Sequence, residues 1–105
     1  MENYFIVDIE TCPINLEKYN ALTEEEKIKL LNPIDSKIIA LGIKYKNEDF
    51  ILIDDDEKKI LETFWKEWRR IKQENQNNIL VGFNIIRFDI PFIVARSFIN
   101  NVELV

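Results

Sequence analysis

The chain opens with an apolar run that carries two acids in its middle, "YFIVDIETCPI" from Tyr4 to Ile14. Its β-branched and aromatic residues predict a strand over 4–9. Cys12-Pro13 ends that strand, because proline cannot donate to a ladder. Burying both Asp8 and Glu10 among apolar neighbours is unfavourable unless a positive charge lies between them. The pair therefore either faces water or holds a cation.

The remaining patterns predict three more strands. The runs 37–45 and 50–54 indicate an antiparallel hairpin with a four-residue loop, and the apolar run 79–83 is typical of a strand parallel to the first. Residues 14–33 form a predicted helical insertion between the first two strands. Within it, Thr23 and Glu26 make a capping-box pattern at the start of a short helix that reaches about Leu31.

Two longer helices complete the predicted domain. The first carries an apolar stripe at helical spacing, made of Ile60, Leu61, Phe64, Trp65, Trp68 and Ile71. We interpret both tryptophans as core residues rather than as base-stacking ones, and the acids of 54–57 before them as capping residues. The second helix spans about Asp89 to Asn100, with Pro91 in its first turn. The order predicts one α/β domain over 1–105, with a mixed sheet covered by helices.

The composition restricts the available chemistry. The sequence has no histidine and a single cysteine, Cys12, which excludes histidine-dependent nucleophilic catalysis and the usual zinc sites. Any site must use carboxylates, amides, hydroxyls and a hard metal ion. The lone cysteine and the lack of a signal peptide or a long apolar segment predict a cytoplasmic protein with no membrane partner. The net charge of −5 disfavours direct phosphate binding but is compatible with metal-dependent nucleases.

Alternation along the first strand places Asp8 and Glu10 on one face, roughly 6.5–7 Å apart at the backbone. Such a pair can converge on one cation or bracket two. The alternative is a wet sheet face with two solvated acids. In "GFNIIRFDIPF" (82–92), Asn84 follows a strand and Asp89 stands at a helix start. Separately they are typical of a turn residue and an N-cap. Together they lie beyond the strand that would neighbour the first, where open α/β sheets place their sites.

These two segments resemble the first and second motifs of the DEDD superfamily of 3′-to-5′ exonucleases. The likeness is greatest to the proofreading domain of family B DNA polymerases and their stand-alone relatives. Asp8 and Glu10 match the first motif, and Asn84, Phe88 and Asp89 match the second. The resemblance covers nearly the whole chain apart from 15–33, and it implies a ribonuclease H-like fold.

The resemblance also implies a role for each matched residue. Asp8, Glu10 and Asp89 would be catalytic ligands of two Mg²⁺ or Mn²⁺ ions. Asn84 would hydrogen-bond near a 3′ terminus, and Thr11 would lie beside the terminal nucleotide. The substrate would be single-stranded DNA or a frayed 3′ end, with RNA as another possibility. From its position beside the second motif, Arg87 could contact a phosphate or simply be solvated.

The family pattern also requires a third motif with a fourth acid, Tyr-x-x-x-Asp or His-x-x-x-x-Asp. Glu103 is the sole acid after Asp89, and all three tyrosines precede the second motif. The chain is therefore expected to be the N-terminal part of such a domain, without the fifth strand and the last helix, and with little or no turnover. The strand at 79–83 would keep an exposed edge, open to self-association or to a C-terminal part. The alternative function is a degenerate module that binds nucleic acid or a protein without catalysis.

Overall fold

A computed structural model describes residues 4–74, 79–81 and 89–104. The described elements follow one another in the order β1 (Tyr4–Pro13), α1 (Leu16–Asn20), α2 (Glu24–Ile28), β2 (Ser36–Tyr45), β3 (Glu48–Ile53), α3 (Glu57–Glu74), β4 (Ile79–Val81) and α4 (Ile90–Ile99). The predicted α/β class is confirmed.

The strands form one mixed sheet in the order β3-β2-β1-β4. β1 pairs with β2 and β2 with β3 in antiparallel fashion, whereas β4 runs parallel to β1, as its apolar composition predicts. Among the described strands, β4 lies at one edge and β3 at the other. Residues 82 and 83, the predicted end of this strand, lie outside the described residues.

One residue of β2 has no partner in β1. Glu10 pairs with Ala40 but Thr11 pairs with Ile38, so Ile39 forms a bulge. The bulge reverses the alternation of β2: Ile38 is buried before it, and Leu41 is buried after it. Both halves of β2 therefore present apolar residues to the same side of the sheet, although the spacing between them is odd.

The core lies between one face of the sheet and the helices α3 and α4. The sheet contributes buried side chains from β1 and β2, among them Val7, Ile9, Leu41 and Ile43. The stripe predicted on α3 is confirmed, since Ile60, Leu61, Phe64, Trp65 and Ile71 are buried and Trp68 packs against them. The Trp65 indole N–H donates to Ser97 Oγ of α4 at 2.9 Å, which fixes the tryptophan as a core residue.

The local predictions differ from the structure in three places. β1 continues beyond the predicted residues 4–9 to Pro13, which pairs with Ser36 of β2 as the last residue of the strand. The hairpin has a two-residue turn, not a four-residue loop, because Tyr45 already pairs with Glu48. Lys46 takes a left-handed conformation there, with a φ of 56°. In the insertion, the Thr23–Glu26 capping box is confirmed, but its helix ends at Ile28, and α1 before it was not predicted. α1 is only one turn long and has no buried residue, so it leaves little periodic signal.

No helix in the described part of the chain is both long enough and apolar enough to cross a membrane.

Candidate active site

Asp8 and Glu10 project from the face of β1 that points away from the core. Both are exposed, whereas Val7 before them and Ile9 between them are buried. The strand alternation predicted from the sequence is thus confirmed, and the two carboxylates share a face.

Small residues of β2 lie directly across from both acids. Asp8 pairs with Gly42 and Glu10 pairs with Ala40. Residues directly opposite each other in antiparallel strands put their side chains on the same face, about 4.5–5.5 Å apart. A Cβ added at Gly42 would meet only the Asp8 backbone oxygen, at 3.9 Å, among the described atoms. Small side chains therefore leave space for a ligand on the sheet surface beside the carboxylates.

Asp89, the third predicted acid, lies immediately before α4 and beside this strand. Its side chain is 4% exposed and accepts a hydrogen bond from the backbone N–H of Ile9. It makes no capping hydrogen bond to α4 within the described residues. The ordinary N-cap interpretation is therefore wrong for this residue, and the carboxylate is directed to β1 instead.

The electrostatics of Asp89 connect it to both strand acids. Burial raises the pKa of the Asp89 carboxyl group, the Ile9 N–H lowers it, and the charges of Asp8 and Glu10 raise it further, so that the net direction is upward. Each strand acid is thus close enough to repel Asp89. A carboxylate held among like charges away from water creates a negative potential that a divalent cation would neutralise.

The three carboxylates do not form a finished coordination shell. No three acidic or thiol side chains among residues 4–74, 79–81 and 89–104 stand together in a group that could hold a metal ion as placed. Their chemistry nevertheless suits a hard divalent cation, because such ions take carboxylate oxygens.

The other predicted site residues have different outcomes. Asn84 and Arg87 lie outside the described residues, so their roles stay predictions. Thr11 follows Glu10 on β1 and borders a cavity of about 350 Å³ between the end of β1 and the insertion. The wall of this cavity includes Pro13, Tyr19, Lys27, Ile28, Leu30 and Leu31. Lys27 Nζ lies 4.9 Å from the centre of the Tyr19 ring and 3.1 Å from Glu24 Oε1.

Comparison with known proteins identifies the family of the chain. Residues 3–104 match the family described as the exonuclease domain of DNA polymerase family B. The chain belongs to this family of DEDD-type proofreading exonuclease domains. An uncharacterized protein of Methanocaldococcus jannaschii is 35% identical over 74 residues, which are 70% of this chain and 39% of that protein. The chain thus spans well under half the length of this relative.

The fold also has a counterpart among solved structures. The family B DNA polymerase of the hyperthermophilic archaeon Pyrobaculum calidifontis superposes with a TM-score of 0.67 and 17% sequence identity. The match covers 99% of this chain and 12% of the polymerase. At this identity the likeness establishes the fold alone. Exonuclease domains of this family bind nucleic acids and generally use divalent metal ions.

Three features of the site were not found from the sequence. They are the small residues Ala40 and Gly42 opposite the acids, the Ile9 N–H that holds Asp89, and a buried ion pair between Glu57 and Arg96. The first two depend on strand register and on the position of α4, neither of which a single strand pattern encodes.

Proposed function

We propose that this chain supplies the metal-binding carboxylates of a 3′-to-5′ exonuclease domain that hydrolyses phosphodiester bonds at the 3′ end of DNA. The observation that carries the proposal is the position of Asp89, which is buried beside β1 and lies within electrostatic range of Asp8 and Glu10. Two carboxylates on an open sheet face, with a third that feels the charge of both, suit the binding of cations that hold a phosphate against an otherwise acidic protein.

Asp8, Glu10 and Asp89 would hold two Mg²⁺ or Mn²⁺ ions. When bound, such ions supply an activated water and stabilise negative charge on the phosphoryl group. The protein's own contribution is placement. The Ile9 N–H orients the Asp89 carboxylate, and the strand spacing separates Asp8 from Glu10.

The substrate residues follow from their positions along the chain. Thr11 would contact the terminal nucleotide, and the cavity beside it offers a mixed wall of aliphatic side chains, Tyr19 and the Lys27 ammonium group. Asn84 would bind near the 3′ terminus and Arg87 a phosphate. Single-stranded DNA or a frayed end fits best, because the terminal nucleotide must reach the carboxylates unpaired. RNA is the second substrate to test.

We expect this chain to turn over slowly, if at all, because it lacks a fourth acid in the required motif. Glu103 does not supply it: the residue is exposed and lies beside Glu62 and Arg69 of α3. Loss of the group that orients the nucleophile costs orders of magnitude in rate. The second candidate function is a module that binds nucleic acid or a protein without catalysis.

Binding and hydrolysis of a 5′-labelled single-stranded oligonucleotide separate the candidates. If the proposal is right, Mn²⁺ increases binding by the parent chain, and Asp8→Ala abolishes that increase. Binding that is equally strong in EDTA and in Asp8→Ala would favour the non-catalytic module. Rapid shortening from the 3′ end, abolished by Asp8→Ala, would support the exonuclease while contradicting the expected slow turnover.

A further inference from the structure

A buried ion pair joins the two long helices. The carboxylate of Glu57, the first residue of α3, receives a two-pronged contact from the Arg96 guanidinium of α4, with Nη2 to Oε1 at 2.5 Å and Nε to Oε2 at 2.9 Å. Glu57 and Arg96 are 7% and 6% exposed. Asn100, one turn beyond Arg96, donates to Glu57 Oε1 at 2.9 Å. We refer to Glu57, Arg96 and Asn100 as the helix clamp.

The helix clamp is anchored to the sheet and to the insertion. Glu57 Oε2 accepts the backbone N–H of Ile38 in β2 at 2.7 Å, and Arg96 Nη1 donates to the Pro33 carbonyl oxygen at 2.8 Å. Ile38 is the residue that pairs with Thr11 next to the bulge of β2. The clamp therefore fixes α4 against the part of the sheet that carries the site.

Asp89 stands at the other end of α4. It precedes Arg96 by seven residues, which is about two helical turns, or about 10 Å along the axis, and returns to the same helix face. The two side chains tie that face to neighbouring strands: Asp89 to the Ile9 N–H of β1, and Arg96 through Glu57 to the Ile38 N–H of β2. A helix held at both points cannot slide or rotate without breaking one of them.

We propose that Glu57 and Arg96 are positioning residues for Asp89, which set the height and rotation of α4 so that this carboxylate meets Asp8 and Glu10. The inference rests on the proposed function in one respect, since it takes the three acids as a metal site. The positioning itself is a statement about α4 and the Ile9 N–H, and it can be tested without metal or substrate.

The chemistry of the pair favours a geometric role. A buried ion pair is weak support for stability, because well-packed apolar replacements are often as stable. The planar guanidinium fork instead fixes both distance and orientation of its carboxylate partner. Asp89 repels both strand acids and is held by a backbone N–H, so its placement needs a rigid support from the rest of α4.

Two variants test the clamp. In Glu57→Gln with Arg96→Gln, neutral amides replace both charges, and the amide oxygen introduced on α3 can still accept the Ile38 N–H. Arg96→Lys keeps the charge and loses the fork. The control is Ile71→Ala, a fully buried residue of α3 about 21 Å along the helix from Glu57, which lowers stability without touching the clamp. The readouts are amide hydrogen exchange at Ile9 and Mn²⁺ affinity.

We expect both clamp variants to lose protection at the Ile9 amide while the β1–β2 amides near Ile43 keep theirs, and to bind Mn²⁺ about 10–100-fold more weakly. Ile71→Ala should change all amides together and leave the Mn²⁺ affinity of the folded fraction unaltered. The proposal would be overturned if the Ile9 amide of the folded double variant were as protected as that of the parent. If the double variant does not fold, the same result in Arg96→Lys would overturn it. Failure of the parent to bind Mn²⁺ would refute the metal site alone, since the Ile9 readout still judges the clamp.

Discussion

Asp89 lacks a stabilising interaction that its position before a helix would normally provide. An aspartate before a proline-containing first turn is normally a cap, and caps stabilise helices by about 1 kcal/mol. Here the carboxylate forgoes the cap, is 4% exposed, and faces two like charges. Residues that weaken the free protein in this way are characteristic of functional sites.

Asp89→Asn is therefore predicted to stabilise the metal-free chain. It should also weaken Mn²⁺ binding by at least about tenfold, because even residues that only support a metal ligand cost about that much affinity when they are mutated. The amide can still accept the Ile9 N–H. The pKa of Asp89 is raised in the folded state, so the ionised carboxylate destabilises the folded chain. This destabilisation is complete above the folded-state pKa and absent below the ordinary value of 3.8. Thermal unfolding in EDTA should show the gain at pH 7 and none at pH 3. A loss of stability at pH 7 would contradict the repulsion argument.

Gly42 tests the open surface beside Asp8. Gly42→Ile is predicted to fold, because β-branched residues suit strands, and to reduce Mn²⁺-dependent oligonucleotide binding about tenfold or more by covering the strand acids. Gly42→Ala is the matched control, since its Cβ makes an ordinary contact at 3.9 Å. Titration of a labelled single strand measures both. Equal binding by the isoleucine and alanine variants would show that ligands do not approach across β2.

At the scale of elements, the helix clamp connects the insertion, β2, α3 and α4 through a single charge pair. The acids at 54–57 were predicted to act as caps, and Asp56 does so, since its carboxylate accepts the Lys58 N–H at 3.0 Å. Glu57 has a different role, visible only when Arg96 is seen beside it. Sequence spacing could not show this, because 39 residues separate the partners.

Acid is predicted to weaken this connection. Burial raises the pKa of Glu57, but hydrogen bonds from Arg96, the Ile38 N–H and Asn100 outweigh burial and hold the pKa below its ordinary value of 4.5. The contribution to stability is thus complete above about pH 4.5 and is lost as the pH falls through the lowered folded-state pKa.

Arg96→Met should lower the free energy of unfolding by roughly 3–5 kcal/mol at pH 7, because it leaves the Glu57 charge buried without a charged partner. Urea unfolding of the parent and of Glu57→Gln between pH 7 and pH 3 provides the pH test. The difference between their free energies of unfolding should shrink with acid. A constant difference across that range would contradict the assignment.

The end of α4 offers a separate prediction. Asn101 has a φ of 57°, its N–H donates to the Phe98 carbonyl oxygen at 3.2 Å, and the Val102 N–H donates to that of Ser97 at 2.8 Å. This is a Schellman ending, in which glycine is the preferred left-handed residue. Asn101→Gly is expected to stabilise the chain by about 0.5–1 kcal/mol, and Asn101→Val to destabilise it. Thermal unfolding compares them; the reverse order would show that the turn is not left-handed in solution.

At the scale of the whole molecule, the net charge bears on the proposed metal binding. The chain carries 19 acidic and 14 basic residues, so direct contact with a phosphate backbone is opposed by its net charge. Cations bound by the site acids, as proposed, would reverse that sign locally. Ion binding also opposes the repulsion among those acids, so it should stabilise the folded chain by mass action.

Mn²⁺ is predicted to raise the free energy of unfolding by about 2.7 kcal/mol at a roughly hundredfold excess over its Kd. Asp8→Asn should remove most of this gain. Scanning calorimetry with a Mn²⁺ series, and EDTA as the reference, measures the effect. The EDTA buffer should leave both proteins folded, because the core does not involve the site acids. Identical Mn²⁺ responses of parent and variant would place the ions elsewhere.

The sequence by itself determined the α/β class, the shared face of Asp8 and Glu10, the apolar stripe of α3 and the start of α4 near Asp89. Each of these follows from the local spacing of apolar and polar residues, which repeats every two residues in strands and about every 3.6 residues in helices. The two sequence motifs also indicated the exonuclease family to which the chain belongs. Asn84 and Arg87 remain predictions of the sequence alone.

Only the tertiary structure decided which groups meet. The Ile39 bulge, the small residues opposite the acids, the turn of Asp89 toward Ile9 and the helix clamp all depend on contacts between distant segments. Such contacts are fixed by strand register and helix packing, which arise from burial of the whole core rather than from any one segment. The sequence named the carboxylates, and the fold determined how they are brought together.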